Sequence, residues 1–321
     1  MNRLCDLLGC TIPIIQAPTG SVAGPGLALA VANAGGIGGM GVTWKTSDEL
    51  NQAIKQMGST RTYHVNYALH FKPETLQLAL DAGVPVVTFS WGRAKGCAEI
   101  CHSYGAKVGV QVGSLVGAEH AIADGANFII VQGVEAGGHV QSSATIDWLL
   151  PQVVKNFGSA VPIVATGGIS ASYQIAQAMQ MGADGVMLGT RYVCTQQSLA
   201  HEIYKQRIVE SSPDDTALST CFNGGWPNSA HRTLRNNTLN EWEGAGCPLD
   251  NRPGEGEEIA LTATGESIER YSGTAPRVGM SGDIPEMALY AGMGVDGIND
   301  IPDAGELTQS LWAETLSILG E

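Results

Sequence analysis

Through the first 210 residues, short unbroken apolar runs alternate with amphipathic stretches. Eight runs have strand length: residues 12–16, 37–40, 63–67, 85–89, 107–111, 127–131, 162–165 and 185–188. Between them, residues 26–34, 47–57, 73–82, 115–124 and 171–181 carry helical spacing. Ser47 is placed to cap the second of these, with Asp48 and Glu49 set against the helix dipole. Gly35, Gly83, Gly125 and Gly182 close helices before the next strand, as αβ units require. The strands are apolar throughout rather than alternating, so both faces are expected to be covered, as in a parallel sheet. Eight such units predict a TIM (β/α)8 barrel over residues 1–210; an open doubly wound sheet is the alternative. Beyond residue 210 the rhythm stops. Residues 211–280 are polar and rich in Gly, Asn, Thr and Glu, and are expected to form a mostly helical insertion or lid, with helical spacing at 232–242. Residues 281–321 predict helices at 284–291 and 304–319 that pack back on the barrel.

Composition narrows the partners. The formal net charge is −14, and the 17 Lys and Arg form no basic run. Nucleic acids and anionic lipid surfaces need clustered cations, so both are excluded as expected partners. Seven cysteines at irregular spacings suit reduced thiols and a cytoplasmic protein. The Leu7-Leu8-Gly9-Cys10 segment imitates a lipoprotein cleavage box, but what precedes it is short and contains Asp6. No apolar run has the length of a membrane span, and the histidines and cysteines form no metal-like cluster, so no metal is expected.

Candidate chemistry sits at the strand ends. The run ending at Val131 passes into Gln132, Gly133, Glu135, Gly137, Gly138 and His139. Glycines there let backbone amides approach a ligand, and the imidazole (usual pKa ~6.5) can exchange a proton near neutrality. Glu135 either orients His139 or is simply exposed. Gly167-Gly168 and Gly189-Thr190 end the seventh and eighth runs, where barrels place phosphates. Arg191 is expected to be structural. Gln16, Asn66, Gln111 and Gln132 put a ring of amides around the mouth, which suits a heterocycle with several polar edges, such as a flavin.

These segments resemble the nitronate monooxygenase family, formerly the 2-nitropropane dioxygenases. The resemblance runs through PIIQAPTGSVAGPGLALAVANAGGIGGMG at 13–41, HVNYAL at 64–69, VQGVEAGGH at 131–139, PIVATGGIS at 162–170 and GADGVMLGTRYVCT at 182–195. HRTLRNNTLNEW at 231–242 and YAGMGVDGINDIPDAGEL at 290–307 extend it. It implies an FMN-dependent TIM barrel that oxidises alkyl nitronates with O2 to carbonyl compounds and nitrite. FMN would be held near Ala17, Pro18, Thr19, Asn66, Gln132 and Gly138, and by Gly167, Gly168, Gly189 and Thr190, with His139 as the base. Gly137 and Gln111 belong to the same expected cofactor set. Tyr67 and Met293 are expected on the substrate side. Three departures fall there: Thr19 after the first Pro, Val140-Gln141 after the histidine, and Met293 between Gly292 and Gly294.

Other readings predict different observations. An NAD(P)H-dependent flavin reductase of the enoyl-carrier-protein or quinone type shares the glycine–histidine loop and would consume NADH. A cofactor-free isomerase or synthase acting on a sugar phosphate would be colourless. A flavin or metabolite sensor would bind without turnover. The sequence leaves the physiological substrate and the oligomeric state open.

Overall fold

The computed structural model describes residues 2–226 and 228–321. Eight parallel strands form the centre: β1 (Ile14–Gln16), β2 (Gly38–Gly41), β3 (Tyr63–Ala68), β4 (Val86–Ser90), β5 (Lys107–Val112), β6 (Phe128–Gln132), β7 (Ile163–Thr166) and β8 (Gly185–Leu188). Neighbours pair in sequence order, β8 pairs with β1, and a parallel bridge from Ile15 to Ile37 joins β1 to β2. The sheet therefore closes, and the expected TIM barrel is what the chain forms. Every predicted strand lies within two residues of an observed one.

Period-two alternation divides each strand between two cores. Ile15, Val86, Phe128, Ile130, Val164 and Met187 point into the barrel. Ile14, Val65, Tyr67, Val87, Ile129 and Val186 point outward, into the layer beneath the helices. Those helices are α1 (Pro25–Asn33), α2 (Ser47–Met57), α3 (Leu76–Asp81), α4 (Cys97–Ser103), α5 (Leu115–Ala123), α6 (Ile146–Phe157) and α7 (Ser172–Gln180). The α2 cap is Thr46, one residue before the expected Ser47. Its side chain accepts from the Glu49 amide, and the Glu49 carboxylate accepts from the Thr46 amide.

The N-terminal Leu-Leu-Gly-Cys segment is the end of a short helix, Arg3–Leu8, capped by Gly9 at φ 71°. Its Leu4 and Leu8 join the inward-facing core and close the bottom of the barrel.

The eighth helix does not follow β8 directly. Helix α8 (Ala304–Leu319) packs between α1 and α7, and so completes the ring. Buried Arg191, just after β8, pairs with Asp300 at 2.5 Å, just before α8. Residues 189–303 are thus one long insertion in the last βα unit, on the face where the strands end. The barrel comprises residues up to 188 plus α8, not residues 1–210.

The insertion is not mostly helical. It holds β9 (Thr216–Ser219) and β10 (His231–Leu234), a second antiparallel group built on β11 (Glu258–Leu261) and β12 (Ser267–Glu269), and helices Glu202–Val209 and Asn237–Gly244. The helical spacing read at 232–242 starts too early, because His231 to Leu234 are consumed by pairing with β9. The helix expected at 284–291 is a single 3-10 turn, Ile284–Glu286, since Pro285 can only begin a helix. No helix among the described residues is long and apolar enough to cross a membrane.

Leu4 is fully buried in the barrel floor. Leu4→Ala is expected to lower unfolding stability by about 2–5 kcal/mol, as other buried Leu truncations do. Chemical denaturation checks this; a loss below about 1 kcal/mol would mean that the floor helix stands outside the cooperative unit.

Candidate active site

A cavity of about 500 Å³ opens where the barrel strands end. Ala17, Pro18 and Thr19 line it from the end of β1, and Asn66, Gln111 and Gln132 from β3, β5 and β6. Gly137, Gly138 and His139 form one wall. Gly167, Gly168, Gly189 and Thr190 form another, at the ends of β7 and β8. The chain thus brings together almost every residue singled out from sequence. None of the side chains lining it carries a formal charge, with His139 neutral. A second cavity of about 320 Å³ lies between the loops after β4 and β5 and shares Gln111 with the first.

Three expected residues are elsewhere. Gln16 is fully buried outside the lining, and its Oε1 accepts from the Gly39 amide at 2.7 Å. Tyr67 follows inward-facing Asn66 by one position, so its ring faces outward. It is fully buried beneath the helices, with its hydroxyl hydrogen-bonded to Thr75 at 3.1 Å. Met293 is 38% exposed and lies outside the lining, although its neighbours Gly292 and Gly294 are within it.

The amide ring has a more local use than a direct grip on a heterocycle. Gln132 donates from Nε2 to the His139 carbonyl (3.2 Å) and accepts at Oε1 from the Gln141 amide (2.7 Å). Gln111 donates to the Gln141 side chain at 2.8 Å. These two glutamines clamp the histidine loop onto the strands below it. Asn66 donates to the Thr88 hydroxyl (3.1 Å), Thr88 bonds His64 Nδ1 (2.9 Å), and His64 Nε2 reaches the Gln16 carbonyl (3.1 Å). That chain crosses the barrel interior under the cavity. Burial pushes the His64 pKa down to about 4, so His64 is a neutral strut.

The His139 loop is fastened from the other side by the insertion. Gly138–His139 pairs antiparallel with Arg232 and His231 of β10. His231 is fully buried. Its Nε2 accepts from the Phe222 amide (3.0 Å) and its Nδ1 bonds the Ser229 carbonyl (2.9 Å), which fixes a neutral tautomer. His139 Nε2 is buried with no hydrogen-bond partner among the described residues, and so is the Thr19 hydroxyl. Such atoms are costly unless a ligand meets them. Burial first, and the neighbouring His231 second, push the His139 pKa down to about 3. Glu135 does not orient His139. Its carboxylate accepts from the Ile146 amide at the start of α6 (3.1 Å), and burial raises its pKa.

The glycines are fixed by close packing. Gly167 and Gly168 have φ of 110° and 70°, and a Cβ on Gly168 would meet the Glu135 Cβ at 2.9 Å. A Cβ on Gly294 would meet the Gly168 carbonyl at 2.4 Å, and one on Gly137 the Gly292 amide at 2.4 Å. The Gly292 amide donates to the Thr190 hydroxyl (3.0 Å), whose own proton stays available. Gly189 differs: its φ is −104°, and a Cβ there meets only ordinary contacts at 3.6 Å and beyond. The insertion contributes Tyr204, Trp226, Thr274 and Tyr290 to the lining, none of them anticipated. Tyr204 comes from the short helix Glu202–Val209 and the other three from segments without strand or helix periodicity, and only the tertiary fold aims them at the mouth.

The nitronate monooxygenase family model matches residues 1–70 and 57–314. A Mycobacterium tuberculosis relative, (3aS,4S,5R,7aS)-5-hydroxy-7a-methyl-1-oxo-octahydro-1H-indene-4-carboxyl-CoA dehydrogenase, is 32% identical over 245 residues, covering 75% of this chain and 68% of its own. The solved structure of FabK from Thermotoga maritima superimposes with a TM-score of 0.83 at 25% identity, covering 100% of this chain and 97% of its own. Nitroalkane oxidase from Streptomyces ansochromogenes gives a TM-score of 0.78 at 28% identity, with 99% of each chain covered.

Burial holds His64, His139 and His231 below the usual imidazole pKa. A depressed histidine stabilises the fold fully above the unfolded pKa of ~6.5, and this contribution drains away as pH falls toward the folded value. Glu135, raised by burial, acts in the opposite direction. Asp124, held low by Arg93, matters only at still lower pH. The urea midpoint of flavin-free protein should therefore fall steadily between pH ~6.5 and ~4.5. His64→Gln should flatten the slope. A flat wild-type profile would show the histidines titrating normally.

Proposed function

The chain belongs to the nitronate monooxygenase family of oxidoreductases, and on that premise we propose that it binds FMN in the barrel mouth and oxidises nitronate anions with O2. The observation that carries this reading is the buried, unpartnered Nε2 of His139, a residue that lines an uncharged cavity bounded by glycine turns. Flavoenzymes need polar ring edges met and a phosphate cradled. The cavity supplies the Thr19 hydroxyl and the Asn66 and Gln111 side-chain oxygens, which their local hydrogen bonds do not use, for the first, and Gly167, Gly168, Gly189 and Thr190 for the second. FMN held there supplies the electron-accepting chemistry that couples substrate oxidation to oxygen.

The protein's own part is to hold the substrate anion. An imidazole whose conjugate acid has a pKa of about 3 is a poor base for a carbon acid. It is well placed to hydrogen-bond an anion that arrives already deprotonated. An anionic oxygen beside Nε2 draws a proton onto the ring and restores part of the lost basicity. Trp226 lies over the ring, centroids 4.3 Å apart and planes 24° from parallel, and its face stabilises the resulting cation. Gln132 and the strand pairing to His231 keep the ring in place while this happens. Without a cationic funnel, substrate enters by diffusion and is held by neutral donors.

Two measurements check this reading. The first concerns the cradle. Gly189→Ala has room in the protein, so its stability should stay within about 0.5 kcal/mol of wild type. A methyl aimed at the phosphate should still weaken FMN binding by about tenfold or more; unchanged affinity would remove the phosphate from this site. Gly168→Val is a poorer probe, because it strains the turn and strikes Glu135 before any ligand is met.

The second concerns the substrate's charge. Oxygen consumption with a matched nitroalkane and nitronate should favour the nitronate by about 100-fold or more in kcat/KM. His139→Ala should keep flavin and lose roughly 10–100-fold on the nitronate, the worth of a charge-assisted hydrogen bond. Equal use of both forms by wild type would make His139 a working base. NADH consumption without nitronate turnover would favour the reductase reading instead.

A further inference from the structure

One feature of the cavity exceeds what a small nitronate needs. Trp44, Trp91 and Trp226 line its outer half, above His139. Trp226 touches Trp91 edge-on at 5.0 Å and Trp44 at 6.2 Å, and stacks on His139 at 4.3 Å. Phe71 and His70 back it, at 5.2 Å and 5.7 Å. The rings form one continuous surface from solvent down to the imidazole.

Two details show that this surface is not ordinary core. Trp44 is 64% exposed, although it stands beside several apolar rings. Packing alone does not account for so open an indole at a cavity mouth. Trp91, at the end of β4, has φ of 60°. The left-handed region is unfavourable for a bulky residue, and a glycine follows at position 92. The strained position nevertheless carries an indole, and that indole lines the cavity. The insertion adds Gly224, Gly225, Gly273 and Ala275 to the lining; Gly224 and Gly273 allow two backbone segments to pack closely, and Gly225 leaves open space where a side chain would lie.

We propose that the site takes substrates whose acidic, oxidisable carbon is carried on a flat, rigid apolar body, an aryl or fused-ring group, seated against Trp44, Trp91 and Trp226. This rests on the reading that an anion meets His139. The anionic head reaches Nε2 while the ring body lies along the indoles, where offset-stacked and edge contacts favour a flat partner over a flexible chain. An uncharged wall imposes no desolvation of buried cations and repels nothing apolar. Short alkyl nitronates would occupy the inner half and leave the indoles wet.

Carboxylates test this without turnover, because their planar O–C–O group imitates the O–N–O group of a nitronate. The flavin-loaded protein is titrated by calorimetry with 2-naphthoate and with octanoate, which are similar in apolar extent. Wild type is expected to bind 2-naphthoate about tenfold tighter or better. Trp226→Leu and Trp44→Leu keep apolar bulk but remove the flat face, and should bring the two ligands to within about twofold. Trp44 is exposed, so that variant folds even if the Trp226 variant does not. Equal wild-type affinities, or a preference unchanged in the Trp44 variant, would overturn the proposal. The binding readout separates this from the function itself: a ring preference with no nitronate oxidation would sink the functional reading and leave the substrate class standing. Nitronate oxidation with no ring preference would do the reverse.

Discussion

The antiparallel pairing of Gly138–His139 with His231 and Arg232 is the contact on which the site depends. It joins a glycine-rich barrel loop, which has little side-chain packing of its own, to a sheet of the insertion. Without it, Gly138 at φ 73° could take many conformations, and His139 would have no fixed direction. With it, the imidazole is held from above by backbone hydrogen bonds and from below by Gln132. Two elements far apart in sequence are therefore needed to place one ring.

That placement has an electrostatic consequence. His231 is buried and His139 half-buried, their rings are 5.5 Å apart, and a proton on either is unfavourable to the other. His231 has both nitrogens engaged, so it cannot share the load. The site is neutral until something anionic enters it. Desolvation disfavours charge on the imidazoles themselves, and the described residues lining the cavity include no opposing arginine.

The barrel was legible because its signal is repetitive. Eight apolar runs punctuated by glycine favour a closed barrel over an open doubly wound sheet, and the strand ends named the glycines of the cavity. Asn66 and Tyr67 are adjacent on β3, so only one can face inward, and the polar residue beside a ring of amides is the one that does. The insertion was not legible. Its strands are two to four residues long, too short to show a period, and β10 pairs with a loop of the barrel as well as with its own neighbour. A helical pattern at 232–242 was half right because Arg232 and Thr233 were claimed by that pairing. The aromatic wall came from three separated tryptophans whose meeting depends wholly on the tertiary fold.

The separation of β8 from α8 bears on how the molecule is made. The groove between α1 and α7 is covered by α8, and Thr308 of α8 bonds the buried Tyr192 hydroxyl at 2.7 Å. During synthesis, the chain must extend past residue 319 before that groove can be sealed. At ~5–20 residues per second, the intervening segment alone keeps it open for several seconds. Long-range closure of this kind slows folding and exposes sticky surface. A nascent chain of this protein therefore carries an open, helix-sized apolar groove until α8 arrives.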